Sequence, residues 1–244
     1  MHRFYAPRLD AGDETIALPD DEAQHLVRVL RVERGADVRV FNGRGLERLA
    51  CVELADRRGV VLRVTGVVAP APEVPFPVTL AQALLKGDRM DDAVRDAVML
   101  GVTAVQPVIT RHVAVLAAHL GGGGRRDRWE RIAVSSAKQC QRAVVPTVHP
   151  PRQFREALQH AAPLRIVLVE PSAHAAVRRV RDLPVPSSEG AVVFAGPEGG
   201  WAPDEIEEAA VSGAALVTLG PRTLRADVVA LVALPIMLHY WNVL

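Results

Sequence analysis

Two glycine-rich loops carry the residue types best suited to chemistry. The first, Gly196-Pro197-Glu198-Gly199-Gly200-Trp201-Ala202-Pro203-Asp204-Glu205, follows the apolar run Val192-Val193-Phe194-Ala195 and opens a helix with proline in its first turn. Its glycines allow the backbone to approach a ligand closely. It is neither a G-x-G-x-x-G fingerprint nor a phosphate loop ending in Gly-Lys-Ser/Thr. Glu198, Asp204 and Glu205 crowd the helix start, where a phosphate would otherwise settle, so a cationic or zwitterionic ligand suits the loop better. A tight turn whose acids complement the helix dipole explains it equally well. The second loop, Leu219-Gly220-Pro221-Arg222-Thr223-Leu224-Arg225-Ala226-Asp227, leads into a segment, 228 to 238, that is apolar on nearly every helical face. Such a helix must be buried, either in the core or against a second subunit. Charges at its mouth are costly unless they pair or bind something, so an Arg225–Asp227 ion pair closing the loop competes with a site.

Both loops fall at the ends of strands. From Val78 onward, apolar strands (78–84, 103–109, 164–169, 191–195, 215–219) alternate with helices (88–100, 126–141, 173–181, 203–212, 227–240), the rhythm of a parallel sheet covered on both faces. Ligands bind outside the carboxyl ends of such strands, which directs attention to the loops after Val169, Ala195 and Leu219. Upstream, residues 35–68 read as short period-two runs separated by turns such as Asn42-Gly43, the pattern of a small antiparallel barrel, with one helix over 20–30. The four prolines of Ala69-Pro70-Ala71-Pro72-Glu73-Val74-Pro75-Phe76-Pro77 mark the boundary between domains 1–72 and 73–244.

The chain has 244 residues, 49% apolar and 23% charged, a composition that excludes disorder and repeat architectures. Two distant cysteines, Cys51 and Cys140, support neither a disulfide framework nor a zinc site, and the histidines lack metal-ligand spacing. With no signal core at the N-terminus and no apolar stretch long enough to span a bilayer, the chain reads as a cytoplasmic protein without a membrane partner. The formal charge of +1 conceals an asymmetry. Residues 125–155 hold eight basic side chains against two acids, and residues 182–227 hold eight acids against two arginines. A polyanion beside a pocket for a cation would produce that division. Near the N-terminus, Arg3, Arg28 and Arg31 with Phe4 and Tyr5 are candidates to grip phosphates and stack a base. The excess of arginine over lysine is read as codon bias.

Several motifs together resemble the bacterial 16S ribosomal RNA uridine-N3 methyltransferases, and the likeness runs along almost the whole chain: Arg3-Phe4-Tyr5, His25-Leu26-Val27-Arg28-Val29-Leu30-Arg31, Leu85-Lys86-Gly87-Asp88-Arg89-Met90, Gln139-Cys140-Gln141-Arg142, Gly196-Pro197-Glu198-Gly199-Gly200 and Leu219-Gly220-Pro221-Arg222-Thr223-Leu224-Arg225. The resemblance implies an α/β fold of the SPOUT class, a parallel sheet with a C-terminal trefoil knot behind an N-terminal PUA-like β-barrel. It also implies a homodimer, S-adenosyl-L-methionine as cofactor, and 16S rRNA, within the small ribosomal subunit, as partner. Under it, Glu170, Gly196, Glu198, Gly199, Gly200, Leu219, Gly220 and Leu224 hold the cofactor. Arg225 stabilises charge on the uracil carbonyls, and Asp227 takes the N3 proton. Arg3, Arg28, Arg31, Lys86, Arg111, Arg126, Arg128, Arg131 and Arg142 contact RNA. The chain departs from the family's Leu-Arg-Thr-Glu-Thr-Ala in Leu224-Arg225-Ala226-Asp227-Val228-Val229, which keeps a carboxylate on a shorter arm, and has His112 where a small residue is usual. Competing readings are a SPOUT enzyme acting on another RNA and a non-catalytic RNA-binding or ribosome-assembly descendant.

Overall fold

The computed structural model describes residues 1–56, 59–113, 124–159 and 162–244. The chain forms two compact units, Met1–Glu73 with Val134–Val145, and Val74–Ala133 with Pro146–Leu244.

The first unit is built on strands β1 (Arg3–Tyr5), β2 (Thr15–Ala17), β3 (Asp37–Phe41), β4 (Glu47–Asp56) and β5 (Gly59–Val67), in the order β1-β3-β4-β5-β2. The sheet is mixed rather than wholly antiparallel as the turn pattern predicts. β1 lies parallel to β3 because the chain between them passes through β2 and a helix before returning, whereas the other three pairings are antiparallel. Register shifts between Leu49 and Ala50 and between Val52 and Leu54 bend the long β4–β5 ribbon, as bulges do. Phe4, Val38, Val40, Val52 and Leu62 form the interior of this small barrel-like unit, joined by Leu26. Leu26 belongs to the expected helix, which begins as α1 (Asp20–Gln24) and continues as a π-helical turn over His25–Leu30. Arg31 closes that turn in the left-handed conformation, φ 51°.

The second unit holds β6 (Val78–Ala83), β7 (Ala104–Ile109), β8 (Thr147–Val148), β9 (Arg152–Gln153), β10 (Leu164–Leu168), β11 (Arg178–Arg179), β12 (Ala191–Ala195) and β13 (Ala215–Thr218). Every pairing is parallel, in the order β11-β13-β10-β12-β6-β7-β8 with β9 also on β7. β12, buried at every residue, is central, as its continuous apolar run requires. The helices are α2 (Arg89–Met99), α3 (Gly124–Gln139), whose residues from Val134 onward belong to the first unit, α4 (Phe154–Gln159), α5 (Pro203–Val211) and α6 (Ala226–Tyr240). The helix predicted over 173–181 is absent. There the chain makes turns and then β11, captured by the edge of β13 before the short 3-10 turn Val180–Asp182. Asp88 stands at the N-cap of α2, but its carboxylate accepts from Arg128 instead of from the helix backbone. At the start of β12 only glycine serves. Gly190 has φ 81°, and a Cβ there would lie 2.0 Å from the Pro77 carbonyl oxygen.

Candidate functional site

The carboxyl ends of β10, β12 and β13 open into one cavity of about 660 Å³ in the second unit, within the size range of small-molecule sites. From the end of β10 come Leu168, Val169 and Glu170; from the loop after β12, Gly196, Glu198, Gly199, Gly200 and Trp201; from the loop after β13, Leu219, Leu224, Arg225 and Asp227. All but one of the residues expected to hold a cofactor or carry catalysis thus border the same space. Gly220 is not among the lining residues; at φ 134° it shapes the turn, and its carbonyl accepts from the Thr218 hydroxyl at 3.1 Å.

Three carboxylates, Glu170, Glu198 and Asp227, border the cavity, while Asp204 and Glu205, which the sequence groups with them, do not. Asp204 pairs with Arg111, and the buried Glu205 accepts the backbone N–H groups of Ala202 and Arg111, each at 2.9 Å. Those two acids therefore serve the fold, and the preference for a cationic ligand rests on the other three. Glu198 is itself engaged. Its Oε1 accepts the Lys86 N–H at 3.1 Å and an Arg89 guanidinium N–H at 3.0 Å, tying this loop to the start of α2. Burial acts to raise the Glu198 pKa, but these hydrogen bonds, one from its own backbone N–H and the charge of Arg89 outweigh it and hold the carboxyl below the usual range. Asp227 lies in the first turn of α6, where the helix dipole favours a negative charge. Arg225 reaches it at 3.2 Å while its side chain stays 78% exposed, so the pair both closes the loop and leaves donors turned to solvent.

Trp201 and Arg89 escape a reading of the sequence as site residues, and His112 registers there only as a departure from the family pattern. The Trp201 indole N–H donates to the Leu168 carbonyl at 2.8 Å, and its ring packs on Phe154 at 4.9 Å between centroids. A Cβ at Gly196 would lie 3.0 Å from the ring's Nε1, a tight contact that favours glycine there. Trp201 thereby pins the β12 loop to the end of β10. Its size within a glycine run is a visible signal, but its partner is 33 residues away.

The arginines expected to meet RNA divide sharply. In the first unit, Arg3 is 8% exposed, forms a two-pronged pair with Glu47 at 3.0 and 2.9 Å, donates to the Ala137 and Arg142 carbonyls, and covers the Phe41 ring at 3.8 Å. Arg142, 7% exposed, is bound to Glu73. Both expectations are corrected: these guanidiniums are buried with their charges neutralised inside the protein. Arg28 and Arg31 are exposed and, among the described residues, carry no ion pair or side-chain hydrogen bond. In the second unit, Arg126 pairs with Glu130 and Arg128 with Asp88 and Asp91. Among the described residues Arg131 donates to the Asp127 carbonyl and forms no ion pair, and the Lys86 side chain is exposed.

Among the described residues no group of His, Cys, Asp or Glu could hold a metal ion, and no helix is long and apolar enough to cross a membrane. A family model described as an RNA methyltransferase domain matches residues 72–238, and one described as an RNA methyltransferase PUA domain matches residues 18–65. The ribosomal RNA small subunit methyltransferase E of Mycobacterium bovis is 31% identical over 95% of this chain and 88% of its own length. That of Synechocystis is 31% identical over 91% and 72%. A crystal structure of the ribosomal RNA small subunit methyltransferase E from Neisseria gonorrhoeae bound to S-adenosyl methionine superposes with a TM-score of 0.88, 34% identity, and coverage of 99% of this chain and 98% of that one. The cavity at the strand ends thus lies in a methyltransferase domain, and the chain belongs to the family of the ribosomal RNA small subunit methyltransferases E.

Proposed function

We propose that this protein transfers the methyl group of S-adenosyl-L-methionine to N3 of a uridine in 16S rRNA of the small ribosomal subunit. The observation that carries the reading is the Arg225–Asp227 pair standing on the cavity that the β10, β12 and β13 loops enclose. The cavity fits the cofactor chemically: carboxylates meet its amine and sulfonium, glycines admit its adenosine to the backbone, and Leu168, Val169, Leu219 and Leu224 offer apolar walls. The cofactor supplies a methyl group on a positively charged sulfur. The protein must orient the uracil in line with that bond and remove the N3 proton. Asp227 accepts the N3 proton, directly or through one water, leaving N3 its electron pair for the methyl carbon, whose bond to sulfur breaks with that bond's electrons staying on sulfur as a neutral thioether. Arg225 donates to a uracil carbonyl oxygen, where negative charge gathers as the proton leaves.

The first unit, Met1–Glu73 with Val134–Val145, acts as the RNA-binding PUA-like barrel, and the second, Val74–Ala133 with Pro146–Leu244, as the catalytic domain, with the C-terminal segment threaded as the knot of the SPOUT class. Of the cations expected to meet RNA, Arg28, Arg31, Lys86 and Arg131 are those whose side chains form no ion pair among the described residues, which leaves them donors for phosphates. The protein works as a homodimer in the cytoplasm. For the dimer the support is α6, whose apolar surface includes Leu231 at 42% exposure, and Met99 on α2 at 41%. Nucleoside mass spectrometry of ribosomal RNA from a deletion strain tests the activity: the 3-methyluridine peak disappears and returns with the gene. An unchanged peak overturns the assignment.

A further inference from the structure

We infer that Glu205 is a positioning residue for the cofactor, clamping the glycine-rich loop after β12 to the turn that follows β7. The inference rests on the reading of the cavity as the S-adenosyl-L-methionine site. Glu205 is 7% exposed and does not line the cavity, yet both its oxygens are in use. Oε2 accepts the Ala202 N–H, at the junction of the loop and α5, and Oε1 accepts the Arg111 N–H, 94 residues away in sequence. A buried carboxylate with two N–H donors from different segments fixes their spacing, because charge-assisted bonds are short and directional.

Three further contacts follow the same seam. Arg111 pairs with Asp204, the residue before Glu205. The His112 Nδ1 lies 2.8 Å from the Gly200 carbonyl oxygen, to which it donates as the Nδ1–H tautomer. Gly199 approaches His112 so closely that a Cβ would sit 3.2 Å from the His112 Cβ. The turn 110–113 is therefore held against Gly199 and Gly200, which themselves line the cavity. The loop's glycines supply close approach but no stiffness, since glycine has the most freedom to lose on ordering. Glu205 and His112 restrict that freedom before the cofactor arrives, and preorganisation of this kind appears as affinity.

Glu205→Gln tests the clamp. An amide accepts through one oxygen only, so its NH2 faces either the Ala202 or the Arg111 N–H, donor against donor. The dissociation constant for S-adenosyl-L-methionine, read by isothermal titration, rises about tenfold, and kcat at saturating cofactor stays within about twofold. His112→Ala, an exposed site that leaves the fold intact, raises the same constant about threefold by releasing Gly200. Arg155→Ala removes the Arg155–Glu208 pair, which stands outside the cavity lining, and leaves the constant unchanged. Wild-type affinity in Glu205→Gln overturns the inference, as does wild-type affinity in His112→Ala should the first variant fail to fold. Equal weakening by Arg155→Ala also overturns it, because any loosening of α5 would then suffice. If the wild-type protein gives no heat with S-adenosyl-L-methionine, the reading of the cavity fails instead.

Discussion

Arg225 and Asp227 share one ion pair but have separate tasks in the proposed transfer, and substitution separates them. Arg225→Ala removes a donor needed only as charge develops on the uracil, so kcat falls by about two to three orders of magnitude while cofactor affinity stays within about twofold. Single-turnover methylation and titration with the cofactor measure the two effects; normal turnover in a folded variant removes Arg225 from the mechanism. Arg3→Ala acts in the opposite sense, on stability and not on chemistry. It leaves Glu47, 3% exposed, as a buried carboxylate without its main counter-charge, a defect worth about 3–5 kcal/mol. Denaturant unfolding reads it directly, and a loss below about 1 kcal/mol would return Arg3 to the surface class. The contrast between these arginines explains how far single residues are legible. A sequence displays the charge at Arg3, Arg28 and Arg142 identically. What separates them is a partner such as Glu47 or Glu73, 44 and 69 residues away, which only the folded chain supplies.

At the scale of elements, periodicity located the five longer strands of the parallel sheet and four of the five helices around it, because burial on both faces imposes apolar runs on β6, β7, β10 and β12, but it missed α4 and the two-residue strands β8, β9 and β11. It failed over 173–181, where an available sheet edge let pairing with β13 decide the conformation. It also could not show which loop holds which. The tie between Glu198 and the Lys86–Arg89 segment joins the β12 loop to the start of α2 across more than a hundred residues. The lowered pKa of Glu198 means that this tie is fully present above the ordinary glutamate range and is lost as pH falls through the lowered value. Cofactor affinity should accordingly hold as pH drops to the ordinary range and decline below it, and Glu198→Gln should be weaker at neutral pH with that acid limb flattened. Titration across the acid range checks this, and an identical acid limb in the variant would dissociate Glu198 from it.

Across the whole molecule, the near-zero net charge conceals a basic stretch and an acidic one, but the basic stretch is not a free surface. Much of it is neutralised within the fold: Arg126 by Glu130, Arg128 by Asp88 and Asp91, Lys138 by Glu22 and Arg142 by Glu73. A linear count of charge records all of these as available, whereas phosphate binding requires cations whose release of counterions is not already offset by a carboxylate. Arg28 and Arg31, exposed on and just beyond the π-helical turn, meet that requirement. Replacing both by alanine should lower the slope of log K against log salt by about 0.7 for each single-strand phosphate left without its cation, or about 1.4 for the pair, and weaken binding of different RNA sequences alike. Arg126→Ala with Arg128→Ala should change the slope much less and instead lower the unfolding temperature, because Asp91, which also accepts the Trp129 indole N–H, loses its cationic partner. Filter binding of a small-subunit rRNA fragment between about 50 and 200 mM salt, with thermal unfolding beside it, distinguishes the two pairs. An unchanged slope in the Arg28/Arg31 variant, or the larger loss in the Arg126/Arg128 variant, would place the RNA on the α3 surface that the charge count first suggests.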